Sequence, residues 1–298
     1  GGGLLAHPTA TGRILIVAVT LFYVLSSAYK LILARLSVSR YAEIRVSSDE
    51  LAALRDEELP VYSILVPLYH EPESVAGIVR ALEALDYPKD KLDVQLLLEA
   101  DDEATCTAAE SLPLPQGFRL TRVPPSLPRT KPKACNIGLA RARGERLVIY
   151  DAEDRPEPDQ LRKAVAAFRR LPPDVICLQC KLNYYNPRQN LLTRWFAAEY
   201  AAWFDLSLPG LASLNTVIPL GGTSNHFSTE ALRGLLGWDA WNVTEDCDLG
   251  VRIYRQGGRT RMLDSTTWEE ACSSLPYWIR QRTRWLKGYI QTLSLIHI

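Results

Sequence analysis

From residue 60 onward, short apolar runs alternate with segments whose apolar residues recur at helical spacing. The strand-like runs are 62–66, 94–98, 119–123, 146–150 and 175–182, and the helical segments between them are 74–85, 104–111, 135–143 and 159–171. This alternation predicts an α/β domain with a mainly parallel sheet. In such a sheet, ligands bind beyond the carboxyl ends of the strands.

Size and charge narrow the class of protein further. A chain of 298 residues with 47% apolar residues accommodates one large domain and a small appendage. Its 34 basic and 34 acidic residues cancel, and no long run of one sign occurs. The sequence therefore predicts no nucleic-acid partner.

An apolar stretch at residues 14–36, interrupted by Lys30 and carrying Arg35 at its end, has about the 20 residues that a bilayer-spanning helix needs. Basic residues crowd its C-terminal side, whereas Arg13 precedes it; those on the C-terminal side are Lys30, Arg35, Arg40 and Arg45. The positive-inside rule predicts a helix in the cell (inner) membrane with the following chain in the cytosol. A signal peptide is disfavoured because the charges lie on the wrong flank, and a buried core helix is the other alternative.

These features divide the chain into four segments, which are a membrane helix with its basic flank (1–45), a linker (46–59), a catalytic domain (60–291) and a non-native tail (292–298). Residues 47–58 are polar and acidic, and we expect a short surface helix there. The chain starts at Gly1 without methionine, and its last six residues resemble a translated sequencing adapter. We therefore expect the native sequence to be cut shortly after Gln291.

The six cysteines are scattered along the chain, which is typical of a reduced intracellular protein. Cys177 and Cys180 form a CxxC pair within a strand-like run, where a spacing of three places the two thiols on opposite faces. Two structural cysteines are therefore favoured over a metal site.

Polar side chains follow several predicted strands. Glu71 follows the first strand, Glu99 and Asp101 follow the second, and an acidic turn, Asp151-Ala152-Glu153-Asp154, follows the fourth. No Gly-x-Gly-x-x-Gly sequence and no phosphate-binding loop occurs there, so a dinucleotide cofactor is disfavoured.

The acidic turn suits a divalent cation that stabilises a diphosphate leaving group. Asp151 and Glu153 are two residues apart on an extended turn and point the same way. Mg²⁺ or Mn²⁺ prefers oxygen ligands and takes one or two of them from the protein. A solvated acidic loop with a helix N-cap is the alternative.

A basic segment and an acidic helix start supply the other expected groups. Arg129, Lys131 and Lys133 precede a predicted helix, where cations and free N–H groups suit a diphosphate; a solvated basic loop is the alternative. Thr244 is a candidate N-cap that places Glu245 and Asp246 in the first turn of the next helix. Asp246 is the candidate general base, with ordinary capping acids as the alternative.

In the last helix Gln281, Arg284 and Trp285 are spaced i, i+3 and i+4 and share one face. Arg284 suits a phosphate clamp, and Trp285 suits stacking on a sugar ring. Trp278 and Trp285 also fit an amphipathic helix at a membrane surface.

In this order, these motifs resemble those of inverting GT-A glycosyltransferases of the cellulose-synthase and hyaluronan-synthase-like type (family 2), over residues 61–291. The matching residues are Lys133, Asn136, Asp151, Glu153, Thr244, Glu245, Asp246, Gln281, Arg284 and Trp285. The resemblance implies a GT-A, Rossmann-like nucleotide-sugar-binding domain.

The resemblance also implies the roles of individual residues. Asp246 would be the general base beside Glu245, and Asp151 with Glu153 would hold Mg²⁺ or Mn²⁺. The implied nucleotide-sugar ligands are Glu71, Glu99, Asp101, Lys133, Asp151 and Arg284, with Lys133 and Arg284 on the diphosphate and Glu99 or Asp101 on the uridine. The implied acceptor ligands are Thr223, Gln281 and Trp285.

Three departures from the family pattern leave alternatives open. Glu99-Ala100-Asp101 stands in place of a paired Asp-Asp-Gly, so the nucleoside contact stays open. Glu153 stands where the usual metal motif has Asp, so either Glu153 or Asp154 is the second ligand. The acceptor segment, residues 221–226, reads Gly-Gly-Thr-Ser-Asn-His, and its Asn225 and His226 either bind a different acceptor or are structural.

The function predicted from the sequence is that of a membrane-anchored, metal-dependent transferase that moves a sugar from a UDP-sugar to a glycan acceptor, in polysaccharide synthesis. The first alternative is a single transfer to a lipid-phosphate carrier. The second is a catalytically silent GT-A subunit of an export complex.

Overall fold

The computed structural model describes residues 8–39 and 42–296. Residues 1–7 of the predicted membrane segment, Arg40 of its basic flank and residues 297–298 of the predicted tail lie outside the described residues.

Within the described part of the chain, strands of very different length form one sheet. The strands are β1 (Glu43–Ile44), β2 (Tyr62–Leu68), β3 (Leu92–Glu99), β4 (Phe118–Val123), β5 (Arg146–Ile149), β6 (Arg155–Pro156), β7 (Val175–Tyr184), β8 (Asn225–Ser228) and β9 (Arg259–Glu269). Their order across the sheet is β1-β9-β7-β8-β5-β2-β3-β4, and β6 pairs with β9.

Helices cover both faces of this sheet and extend beyond it. They are α1 (Pro8–Ser37), α2 (Ser48–Ala52), α3 (Val75–Glu83), α4 (Glu103–Glu110), α5 (Lys131–Arg141), α6 (Gln160–Arg170), α7 (Leu191–Ala201), α8 (Leu208–Ser213), α9 (Thr229–Gly234), α10 (Glu245–Arg255) and α11 (Leu275–Ile296). A π-helical turn (Ala202–Ser207) joins α7 to α8, and short 3-10 turns lie at Asp56–Glu58 and Lys89–Lys91.

The predicted α/β domain with a mainly parallel sheet is confirmed. Parallel pairing joins β2 to β3 and β5, β3 to β4, and β9 to β7 and β1. β8 runs antiparallel between β5 and β7. β8 and β9 were not predicted from the sequence. β8 is only four residues long and follows a segment of small and polar residues, while the apolar residues of β9 alternate weakly with polar ones and its pairing with β7 is irregular.

Alternate residues of the central strands build two apolar cores, one on each face of the sheet. Ile64 and Val66 of β2 join the first core, whereas Leu65 joins the second. Cys177 belongs to the second core and Cys180 to the first, and both are free thiols. The prediction of two structural cysteines on opposite faces is therefore confirmed.

The predicted membrane helix corresponds to α1, of which Thr9–Ser37 is long and apolar enough to cross a membrane. Most of its side chains are exposed, but its C-terminal end packs on α8. A Cβ on Gly210 would lie 2.5 Å from the backbone oxygen of Leu33, so only glycine permits this approach. Ser213 Oγ also donates a hydrogen bond of 3.3 Å to Leu36 O.

The segment after α1 contributes to the sheet before the predicted domain begins. β1 pairs with Met262 and Leu263 of β9, although residues 43–44 were assigned to the basic flank. Lys181 of β7 ties this edge together, with Nζ 3.0 Å from Glu43 Oε1 and 2.9 Å from Asp264 Oδ1. The short surface helix expected in the linker is α2, which begins with a capping box at Ser47.

Candidate active site

The acidic turn after β5 and the first turn of α5 meet at one ion pair. Lys131 Nζ contacts Asp151 Oδ1 and donates a hydrogen bond of 2.7 Å to Gly222 O. Burial by itself lowers the pKa of Lys131, but Asp151 and Glu245 raise it above its ordinary value. The lysine is therefore a fixed cation among carboxylates.

Lys133, which the family resemblance implies as a ligand of the diphosphate, lies in a different environment from Lys131. Two residues along a helix correspond to a rotation of about 200°, so the two side chains leave α5 in nearly opposite directions. Lys133 Nζ is buried 2.8 Å from Glu99 Oε2 and also donates to Ser126 O at 3.3 Å. Asp101 pairs with Arg129 at 2.8 Å near the surface.

Glu153 and Asp154, the two alternatives for a second metal ligand, differ in exposure. Asp154 is 1% exposed, and its Oδ2 accepts hydrogen bonds from Asp151 N at 2.8 Å and from the Thr223 hydroxyl. Glu153 is exposed, yet the surrounding protein and the Asp151 carboxylate raise its pKa. Asp154 thus stabilises the turn from its buried side, while Glu153 is exposed to solvent.

Glu71 approaches the same turn from the end of β2. Burial, Glu153 and Asp151 raise the pKa of Glu71 to about 7. Its neighbour His70 adopts a positive φ of 57°, and the His70 N–H donates to Asp102 Oδ2 at 2.6 Å. This bend directs the chain after β2 toward the acidic turn.

Asp246 and Glu245 lie in the first turn of α10, as predicted. Asp246 Oδ1 accepts a hydrogen bond of 2.7 Å from Cys247 N. A Cβ on Gly222 would lie 3.5 Å from Asp246 Oδ2 and 3.7 Å from Lys131 Nζ, so the glycine leaves this space open. Burial and the Glu245 carboxylate raise the pKa of Asp246 to about 7.

Thr244 occupies the predicted N-cap position, but its side chain does not cap α10. Its hydroxyl instead contacts Asn242 Oδ1 at 3.4 Å. The reason is the close approach of α11, because a Cβ on Gly288 would lie 2.4 Å from Thr244 Oγ1. Asn242 Nδ2 also donates to Thr292 Oγ1 of α11 at 3.1 Å.

α11 brings several of its side chains to the acidic pair. Arg284 is exposed and lies close enough to lower the pKa of Glu245, which burial raises. Tyr289 was not predicted from the sequence; burial and the Asp246 carboxylate raise its pKa to about 12. Gln281 and Trp285 are half-buried, and the Trp285 ring lies 6.4 Å from that of Phe196.

The small-residue segment at 221–226 is largely occupied by internal contacts. Thr223 is 1% exposed, and its hydroxyl contacts Ile149 O as well as Asp154. His226 is buried between Tyr62 OH at 2.6 Å and Gln160 Oε1 at 3.2 Å, and burial lowers its pKa to about 3. Of the two alternatives for His226, the structure supports the structural one.

Two further residues of the site carried weak signals in the sequence. Lys131 was recognised within the basic segment that suits a diphosphate, but the family resemblance gave the individual role to Lys133. Glu269 ends β9, and burial and Asp154 raise its pKa well above the ordinary value. Apolar and polar residues alternate poorly in β9, so the only sequence signal for Glu269 is the Glu269-Glu270 pair before a loop.

Replacing Gly288 by alanine tests whether the contact between α11 and α10 positions the acids. The added methyl would displace Thr244, and misplacing a reacting group by about 1 Å costs up to ~10²-fold in rate. We therefore expect G288A to lower turnover at least about tenfold without loss of the folded state. Turnover and thermal unfolding would be measured together.

Gly234→Ala is the matched control, since Gly234 also lies in a helix and a Cβ there meets nothing within 4 Å. Equal turnover of the two variants would contradict the positioning of α10 by α11.

A mainly parallel sheet with an acidic turn after β5 and an acidic start to α10 fits the GT-A class of glycosyltransferases. The chain belongs to the glycosyltransferase-like family 2, whose sequence profile matches residues 60–288. The predicted family and fold class are therefore confirmed.

Curated relatives of this chain include enzymes of polysaccharide and glycolipid synthesis. Glucomannan 4-beta-mannosyltransferase 2 of Arabidopsis thaliana is 28% identical over 254 residues, covering 78% of this chain and 46% of the relative. Beta-monoglucosyldiacylglycerol synthase of Synechocystis sp. is 27% identical over 241 residues, covering 78% of this chain and 48% of the relative. The chain thus spans about half the length of the curated relatives it matches.

A solved structure shares the fold at lower identity. The mannosyltransferase PcManGT from Pyrobaculum calidifontis, in complex with GDP-Man and Mn²⁺, superimposes with a TM-score of 0.69 at 22% identity. The match covers 95% of this chain and 75% of that one.

Proposed function

We propose that this protein is a membrane-anchored, inverting glycosyltransferase that moves a sugar from a UDP-sugar to a glycan acceptor. One observation carries the proposal: the Asp246 carboxylate and the Lys131–Asp151 ion pair line the same open space beside Gly222. A proton acceptor and a cation for a phosphate group are thus brought together at the edge of the sheet.

The roles of the two groups follow from their charge. Asp246 accepts the proton of the acceptor hydroxyl while that oxygen attacks the anomeric carbon from the face opposite the diphosphate. Lys131 and Arg284 stabilise the negative charge that develops on the departing diphosphate. Because the base and the leaving group lie on opposite sides of the sugar, the product has inverted configuration.

A divalent cation fits the charge of this site. Burial, and after it repulsion from neighbouring carboxylates, raises the pKa values of Glu71 and Glu153, and Asp151 contributes to both shifts. Among the described residues, no three Cys, His, Asp or Glu side chains are close enough to hold an ion by themselves. Asp151 and Glu153 would hold Mg²⁺ or Mn²⁺ together with phosphate oxygens and water, and the ion would neutralise the leaving diphosphate.

Exposure favours Glu153 over Asp154 as the second ligand. Asp154 Oδ2 accepts hydrogen bonds from Asp151 N and from the Thr223 hydroxyl, and only 1% of the residue is exposed. We therefore assign Asp154 and Thr223 to holding the turn, rather than to the metal and the acceptor.

For the donor, we propose Glu71, Glu99, Asp101 and Lys133 as the nucleoside side of the pocket, with uridine as the nucleoside. The Lys133–Glu99 pair is buried, so it shapes this side without adding net charge. Because the solved mannosyltransferase is described as a complex with GDP-Man, GDP-sugars are the second donor class to test.

For the acceptor, α11 supplies Gln281, Trp285 and Tyr289, of which the first two are half-buried. A glycan is the first candidate, and a lipid-linked acceptor is the second. The second is favoured by the packing of α8 on α1, which would keep the catalytic domain close to the inner membrane on its cytosolic side.

The direct test uses the full chain purified in detergent and returned to lipid vesicles. With Mn²⁺ or Mg²⁺ present, we expect transfer from at least one UDP-sugar, and product length distinguishes a polymer from a single addition to lipid. Absence of turnover with all UDP- and GDP-sugars, combined with normal nucleotide binding, would support the silent subunit instead.

The rate should depend on pH through Asp246. Its pKa of about 7 means that the carboxylate, which is the active form of a base, is lost as the pH falls. We expect kcat/KM to rise about tenfold per pH unit below the midpoint and to level off above it. Since the Glu245 charge contributes to the raised pKa, E245Q should move the midpoint to lower pH, and an unchanged midpoint would contradict this assignment.

A further inference from the structure

The two arginines of the last helix, Arg282 and Arg284, lie in opposite environments. Arg284 is exposed beside Glu245, whereas only 22% of the Arg282 side chain is exposed. Arg282 Nη1 donates to Glu199 Oε1 at 2.7 Å, and Nη2 donates to Oε2 at 2.5 Å. This is a two-pronged ion pair between α11 and α7.

Aromatic rings surround the same guanidinium group. The Arg282 Cζ atom lies 4.8 Å from the ring centre of Phe196, 4.7 Å from that of Trp285 and 5.3 Å from that of Trp278. A planar guanidinium stacks well on such faces while its fork stays paired with a carboxylate. Rotation of α11 away from α7 would break both kinds of contact at once.

Helix geometry converts this contact into a constraint on Arg284. Arg282 and Arg284 are two residues apart, so their side chains leave the helix axis about 200° from each other. With Arg282 fixed against α7, Arg284 must point to the other side, where Glu245 lies. The same rotation directs Gly288 to Thr244.

The partner helix is itself well anchored. Phe196 is 2% exposed and packs on Tyr184 of β7 at 4.8 Å between ring centres. α7 continues through the π-helical turn into α8, which packs on the end of α1. α7 therefore provides a fixed surface between the membrane helix and α11.

We propose that Arg282 is a positioning residue: its ion pair with Glu199 and its ring contacts set the rotation of α11 and so place Arg284 at the phosphate side of the site. The structural part concerns α11 alone, and its catalytic consequence rests on the proposed function.

The first measurement is hydrogen exchange of the full chain in lipid, which does not depend on enzyme activity. Arg282→Ala should raise exchange in residues 275–296 on the order of tenfold, and Glu199→Gln should act in the same direction. Arg280→Ala is the matched control, because Arg280 is exposed on the same helix and lies 5.7 Å from the exposed Tyr277 ring. Equal exchange in R282A, E199Q and R280A would overturn the proposal.

The second measurement compares binding of UDP and UMP with Mn²⁺ present. If Arg282 acts through Arg284, R282A and R284A should each reduce the preference for the diphosphate about tenfold, and the double variant should lose no more than R284A alone. R282K should retain only part of the preference, since an ammonium group lacks the planar fork. Additive losses would overturn the proposal, whereas a wild-type chain that binds neither nucleotide would contradict the proposed function and leave the exchange result to decide the role of Arg282.

Discussion

Asp246→Asn is expected to reduce sugar transfer by ~10³-fold, because an amide cannot accept the proton of the attacking hydroxyl. The variant keeps the shape of the side chain, and donor binding should therefore change little. Rates with a saturating donor, together with calorimetric binding of UDP and Mn²⁺, would separate the loss of chemistry from a loss of binding.

Asp248→Asn is the matched control on the same helix. Asp248 is buried and pairs with Arg252 at 2.7 Å, and nothing in its contacts directs it to the open space beside Gly222. It should change stability rather than rate at saturating donor. If D246N retained more than about a tenth of wild-type activity, the general-base role of Asp246 would be wrong.

Asp246→Asn has a second expected effect, on the stability of the folded state. Burial and Glu245 raise the pKa of Asp246 to about 7, so the folded state holds this proton more tightly than the unfolded state does. The resulting stabilisation is present at low pH and is lost as the pH rises from about 4 to about 7. At pH 8, D246N should consequently unfold at a higher temperature than the wild type.

Lys131→Met is expected to reduce transfer by ~10²-fold, through loss of a fixed cation at the leaving group. Methionine keeps most of the length of the side chain, but Asp151 then loses its ion pair and Gly222 O loses a hydrogen bond. Both kcat and the affinity for the donor diphosphate should fall, and initial rates over a range of donor concentrations would measure the two effects.

Lys131→Arg preserves the charge and is expected to recover part of the rate. Lys133→Met gives a further comparison, since Lys133 is paired with Glu99 in a buried position. A larger loss of diphosphate affinity in K133M than in K131M would show that Lys133, which the family resemblance favours, is the phosphate ligand.

Much of the fold could be predicted because strand and helix periods are local properties of the sequence. The sequence predicts β2, β3 and β5 clearly, because buried parallel strands are nearly continuous apolar runs. The helices that connect them are predicted by their helical spacing of apolar residues. β8 was missed because its residues, Asn225 to Ser228, include buried polar side chains that are paired far away in the sequence. β1 is too short to have a period at all.

The candidate site was predicted in part for a related reason. The first-turn position of Asp246 follows from a local capping pattern, and Asp151 follows directly on a clear strand. The place of Arg282 was not foreseen, since its partners Glu199 and Phe196 belong to a helix more than eighty residues earlier in the chain.

By itself, the sequence determined the kind of domain, the apolar helix before it and the set of charged residues available at the carboxyl edge of the sheet. Only the tertiary structure gave similar neighbours different surroundings. Lys131 pairs with Asp151, whereas Lys133 is buried against Glu99. Glu153 is exposed, whereas Asp154 is buried. The tertiary structure also made His226 a neutral, buried residue. The physical reason is that pairing, exposure and pKa depend on groups brought together by folding, whereas a sequence period records only the direction in which each side chain leaves its own helix or strand.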